Sequence, residues 1–200
     1  MKLRLPVGLL LVAFVRVAHA DQWPGPAEIQ VFSPSLHYKV RVLPGKSYGD
    51  TFGFSGSPKG PYATAELSAR SGSDDFKPVS TFTLLNPVAP IDVFLSDSGH
   101  VITFDNWHNM GYGKVVVLYG SNGAVLRAYT LQDLFPATDL ALFVQSRSSI
   151  WWRKAGEPSK LSKGQRNICV GAPITGRDLE FNLETGDFAS RAVGQCKPLL

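Results

Sequence analysis

No stretch of this 200-residue sequence approaches the ~20 consecutive apolar residues that a membrane-spanning helix requires, so no such span is expected. Cysteine is nearly absent, with Cys169 and Cys196 the only two. Neither belongs to a CxxC or lies in a Cys/His cluster, which removes the usual zinc and dithiol redox motifs. Phosphate-cradling and hydrolytic signatures are missing as well: the chain has no GxGxxG, Walker loop, HExxH or Ser-x-x-Lys. Gly53-Phe54-Ser55-Gly56-Ser57 has its second glycine one place too early for a nucleophile elbow. Asp74-Asp75, with Glu66 upstream, reads as solvated loop rather than as the acid pair of a glycosidase.

An excess of charge is lacking once the N-terminus is set aside. Lys2 and Arg4 precede an apolar run from Leu5 to Val15, and Ala18-His19-Ala20 supplies the small-x-small pattern of a secretory cleavage site. Residues 1–20 are therefore expected to be a signal peptide, and residues 21–200 a single β-rich domain of a secreted or periplasmic protein. The leader holds three of the 20 basic groups and none of the 16 acidic ones, leaving 17 against 16. Such a balance speaks against nucleic acid as a partner, which demands a clustered cationic excess. In an oxidising compartment a Cys169–Cys196 bridge is expected to form and persist. Closing a loop of about 27 residues contributes roughly 3 kcal/mol in the chain-entropy picture.

What is present is alternation. From Ile29 onward apolar residues recur at a spacing of two, punctuated by Gly, Pro, Asn and Asp, the pattern of half-buried strands. Tyr38 to Val42, Ala63 to Ala69 and Thr81 to Leu85 read as strands, with SGSDDFKP a loop between the last two. Gly45 to Tyr62, rich in Gly, Ser and Pro, reads as a long loop. Ile91 to Leu95 with Val101 to Phe104, Val115 to Tyr119 with Val125 to Tyr129, and Leu179 to Leu183 with Phe188 onward read as hairpins, the second turning on Asn122-Gly123. Thr130 with Asp133 three residues on predicts a capped short helix ending before Pro136. Leu140 to Val144 suits helix or strand. In a strand at Ile150-Trp151-Trp152 the two tryptophans must face opposite sides. The fold class expected is mainly β: an antiparallel meander, propeller-like or a β-sandwich, with one or two short helices.

The segment from about Pro87 to Phe135, VFLSDSGHVITFDNWHNMGYGKVVVLYGSNGAVLRAYTLQDLF at its centre, resembles one found in uncharacterised exported bacterial proteins with propeller-like β-repeats. The shared features are a Ser-Asp-x-Gly turn, a strand ending in Asp-Asn-Trp, a Gly-Tyr-Gly loop and a Val-rich strand ending in Tyr. The resemblance implies a β-meander scaffold and transfers no activity. Asp105-Asn106-Trp107 occurs once, whereas a full propeller repeats its blade at least four times.

Asp97, His100, Asp105 and His108 are metal-ligand types. At about 3.4 Å per residue, however, a strand from Val101 to Phe104 sets His100 roughly 17 to 27 Å from Asp105 and His108. Asp105 and Asn106 are expected instead to cap loop backbone N–H groups. Trp107 and Tyr112, beside Gly111 and Gly113, admit an aromatic platform for carbohydrate or protein. The candidate binding residues are thus Asp105, Asn106, Trp107, His108 and Tyr112; no catalytic residue, metal or cofactor is assigned. The function expected is an exported non-enzymatic β-scaffold or binding module. The alternative is a hydrolase or metal-dependent enzyme using the Asp105/His108 region, and exposed edge strands would equally suit a partner subunit.

Overall fold

The structure is a computed structural model that describes residues 23–72, 75–153, 160–161 and 166–196. The predicted signal peptide and its cleavage point, and Asp74 of the acid pair, lie outside those residues. Strands β1 (Ile29–Phe32), β2 (Tyr38–Leu43), β3 (Thr64–Arg70) and β4 (Phe76–Thr83) form one antiparallel meander in chain order. β5 (Asp92–Leu95), β6 (Val101–Phe104), β7 (Val116–Tyr119) and β8 (Val125–Tyr129) form a second. After the short helices α1 (Leu131–Leu134) and α2 (Ala137–Leu140), β9 (Val144–Gln145) pairs with β10 (Ile150–Trp151). β11 (Lys160–Leu161), β12 (Asn167–Ala172), β13 (Arg177–Asn182) and β14 (Phe188–Ala192) complete a third four-stranded meander. The fold is mainly β, in antiparallel sheets, and closes no barrel. Among the described residues no helix is long and apolar enough to cross a membrane.

Burial explains why the centre of the chain carries continuous apolar runs rather than alternation. β6 and β7 are buried at every residue, because their sheet is covered on both faces. On one face Val93, Leu95, Val101, Val117 and Tyr119 pack with Val40, Val42, Ala65 and Leu67 of the first sheet. On the other, Ile102, Phe104, Val116 and Leu118 pack with Ile168, Val170, Leu179 and Phe181 of the third. Each large apolar side chain so buried contributes roughly 1.5–3 kcal/mol. In the outer sheets β2, β3 and β13 keep the two-residue period, whereas β12 departs from it at the buried, disulfide-bonded Cys169. Outward from the first, Arg41 pairs with Glu28 at 2.6 Å and with Glu66 at 3.2 Å. Outward from the third, Glu180 holds Arg191 at 2.8 Å and accepts from the Asn167 amide at 2.8 Å. Both ends of the three-layer stack are therefore polar.

The predicted hairpins form, with Gly99, Gly123 and Gly186 at their turns in positive φ. Thr130 and Asp133 make a reciprocal capping box at the start of α1. Leu140 closes α2 and Val144 opens β9, so the ambiguous segment is divided between helix and strand. Trp152 is buried and Trp151 half-buried, but β10 ends at Trp151 and both rings pack against the same core. Cys169 and Cys196 are disulfide-bonded. One boundary differs from expectation: β4 begins at Phe76 and includes Lys77 and Pro78, which the composition had assigned to a loop. Pro78 is tolerated because β4 is an edge strand and the register shifts at Leu67/Ser68, where it pairs.

Candidate functional site

In a meander, alternate connections emerge at the same end of the sheet. The β2–β3 and β6–β7 connections share one end, and they carry the site. The β6–β7 loop starts with Asp105 at φ +56° and passes His108 at φ +67°, both in the left-handed region that side chains other than glycine seldom adopt. The Asp105 carboxylate holds this shape from beneath. One oxygen accepts from the Gly111 N–H at 2.9 Å and the Trp152 indole at 2.8 Å; the other accepts from Arg153 Nε at 2.7 Å. Arg153 also reaches Asp92 at 2.6 Å through Nη1 and lies against the Phe104 and Trp152 rings. The Asp105 side chain is 0% exposed and that of Arg153 3%.

Burial pushes the Asp105 carboxyl up, against Arg153, Trp152 and Gly111, which favour its charge. Burial works against the Arg153 charge too, but Asp105 and Asp92 outweigh it and hold the guanidinium above its ordinary range. With three N–H donors on its oxygens, Asp105 is satisfied as a carboxylate, and the pair is ionic.

Asparagines fix the rest of the loop. Buried Asn86 donates to the Asp105 carbonyl at 2.9 Å and to Asn106 Oδ1 at 2.8 Å. Asn106 donates in turn to the carbonyls of Tyr112 and Lys114 at 3.0 and 3.3 Å. Asn109 donates to the Phe52 carbonyl at 3.0 Å, which joins the β6–β7 loop to the β2–β3 loop. Gly111 could carry no side chain: a Cβ there would lie 2.5 Å from the Ile150 carbonyl oxygen.

Over this frame sits an aromatic cluster. Phe54 packs edge-on to His108 at 4.8 Å between ring centroids, Tyr48 edge-on to Trp107 at 5.7 Å, and the Trp107 indole donates to the Pro24 carbonyl at 2.8 Å. Beside it a cleft of about 720 Å³ opens between the two loops, walled by Asp50, Phe52, Ser55, Asn106, Tyr112 and Lys114 among others. The Phe52 and Tyr112 rings, one from each loop, stack at 4.6 Å with planes 10° apart. Lys59 at 2.6 Å and the Ser47 hydroxyl at 2.7 Å hold the Asp50 carboxyl below its ordinary value.

No family model and no curated protein matches this chain. One solved structure, the periplasmic gluconolactonase of Pseudomonas aeruginosa, is similar to it. The alignment covers 86% of this chain and 41% of that one, at 14% identity and a TM-score of 0.39.

Of the five candidate residues, Asn106 and Tyr112 line the cleft. Asp105 lies beneath it, spending its oxygens on protein donors. Trp107 and His108 belong to the aromatic cluster at its side. Asp105 does tie off a backbone N–H as expected, whereas Asn106 does the reverse and donates to carbonyls. Sequence reasoning missed Asp50, Phe52, Ser55, Asn109 and Lys114 on the cleft, and Arg153 below it. The signal for the first three was the unusual length of the Gly45 to Tyr62 connection, since long irregular loops in small domains are commonly functional. Among the described residues, no three His, Cys, Asp or Glu side chains gather where they could hold a metal.

Proposed function

We propose that the chain is an exported, non-enzymatic β-module, residues 21–200 forming one domain that binds a small polar ligand in the cleft between the β2–β3 and β6–β7 loops. The observation that carries this reading is that the two walls come from different sheets and are joined by the Asn109 bond to Phe52, while the Asp105–Arg153 pair anchors the β6–β7 wall from beneath. A cleft whose walls are fixed in advance binds without the cost of ordering them. Its volume falls within the roughly 300–1,000 Å³ usual for small-ligand sites. The leader pattern and the disulfide support a secreted or periplasmic location, where such a bridge persists.

The hydrolytic or metal-dependent alternative at Asp105 and His108 draws no support from the geometry. Asp105 already serves three protein donors, and the His108 ring is packed among Trp23, Phe54 and Trp107. The test is amide chemical-shift mapping of the mature chain against a chemically mixed fragment library. Shifts confined to residues 49–55 and 106–114 are expected. Shifts centred elsewhere, or turnover of a library member abolished by His108→Ala, would overturn the proposal.

A further inference from the structure

The charge, surface and rigidity of the cleft together narrow its ligand. The Phe52 and Tyr112 rings stack face to face into a slab two rings thick at the mouth, each covering one face of the other, so that the slab meets solvent chiefly through Phe52, which is 54% exposed. Around the slab stand oxygen and nitrogen groups of Asp50, Thr51, Ser55 and Lys114. A ligand matched to this lining carries an apolar face and a polar rim on the same small ring.

The ionised groups are already committed. Asp50 is paired with Lys59 at 2.6 Å and takes the Ser47 hydroxyl at 2.7 Å. Lys114 donates to the Ala128 carbonyl at 3.2 Å and lies 4.0 Å from Asp133. The lining thus carries one carboxylate and one ammonium, each with an opposite charge beside it, and offers a charged ligand no net counter-charge. Hydroxyl groups need no free charge: a carboxylate has about four lone-pair sites and an ammonium three donors, so both retain capacity for neutral partners. The backbone under the slab is also held still, since Asn106 bonds the Tyr112 carbonyl and Asn109 the Phe52 carbonyl. Weak ring-to-ring contacts become useful when the platform needs no ordering.

We infer that this cleft takes a neutral saccharide, a pyranose laid on the Phe52–Tyr112 slab with its hydroxyls bonded to Asp50, Ser55 and Lys114. The inference rests on the reading of the cleft as a binding site. It is tested by titrating the isotope-labelled mature chain with maltotriose, cellotriose, N-acetylchitotriose, trigalacturonate and trialanine. At least one neutral trisaccharide is expected to shift the amides of 49–55 and 106–114. Phe52→Ala, which removes the exposed ring, and Tyr112→Ala, which removes the ring backing it, should each weaken that binding about tenfold, while Tyr112→Phe and the distant Arg191→Ala leave it within about threefold.

With the same dependence on Tyr112, binding of trigalacturonate alone would overturn the neutral class and binding of trialanine alone the saccharide class, each leaving the cleft reading standing. If none of the five binds while library fragments still shift these amides, the saccharide class again falls by itself. If neither the five nor the library touches them, both fall.

Discussion

Arg153 Nε and Asp105 Oδ2 meet at 2.7 Å inside the protein, 48 residues apart in the chain, and so fasten the segment after β10 under the loop that follows β6. Removing one member of such a pair leaves the other charged and buried. Asp105→Asn or Arg153→Met is therefore expected to destabilise the protein by about 3–5 kcal/mol. The double variant should lose at least about 1 kcal/mol less than the two single losses combined, because neither charge is then stranded. Urea denaturation of the four proteins measures this, and simple additivity would show that the pair is not coupled.

A second link joins the β1–β2 turn to the β5–β6 turn at the other end of the sheets. Asp97 accepts from the Ser35 N–H at 2.8 Å and the Ser35 hydroxyl at 2.6 Å. Burial raises the Asp97 carboxyl, but these bonds outweigh it and leave the pKa below its ordinary value. A carboxyl lowered in the folded state takes up its proton first in the unfolded chain. Its contribution is present above about pH 4 and is lost as pH falls through the lower, folded value. Asp97→Asn should flatten the fall in denaturation midpoint below about pH 4, and an unchanged slope would count against the link.

His100 gives a second pH dependence, with the same sign and a different window. Burial lowers its pKa, against a weaker upward pull from Glu184. Below its ordinary value near 6.5 the unfolded chain protonates first, so stability is full above about pH 6.5 and declines as pH drops toward the folded pKa. The ring Nδ1 and the Ser98 hydroxyl lie 2.8 Å apart, a hydrogen bond that a neutral imidazole makes in either tautomer. An NMR titration should place the His100 midpoint below that of a model histidine. His100→Gln should remove the corresponding slope from the stability profile.

The parts of this fold legible in the sequence are those fixed by chemistry within a few residues. Asn122-Gly123 sets a hairpin, Thr130 with Asp133 starts a helix, and alternation marks β2, β3 and β13 of the outer sheets. β6 and β7 read as half-buried hairpin strands, and their full burial follows only from the sheets packed on both faces, which lie far off in the sequence. The cleft was half legible. Its β6–β7 wall stood out by its unusual residues, whereas Phe52 reaches it only because Asn109, 57 residues away, grips the Phe52 carbonyl. No local pattern reports a bond across that distance.

Gly111 ties the loop's conformation to the cleft, and substituting it separates local strain from a general loss of folding. It has φ +80°, its N–H donates to Asp105, and a Cβ would lie 2.5 Å from the Ile150 carbonyl oxygen and 2.7 Å from the Ile150 Cβ. Backbone, not a flexible side chain, blocks the space, so Gly111→Ala must move the loop or the β10 strand. Left-handed strain alone costs on the order of 1–2 kcal/mol, and the clash adds to it. Because Tyr112 follows directly, the displacement should part its ring from Phe52. Gly113→Ala has a comparable φ of +68° but meets only the Asn106 amide, at 3.6 Å. It should therefore show the strain without the clash. Thermal unfolding is expected to rank the wild type above Gly113→Ala and Gly113→Ala above Gly111→Ala, with Tyr112 ring shifts altered chiefly in the last. Equal losses at the two glycines would mean that the contact with Ile150 does not set the loop.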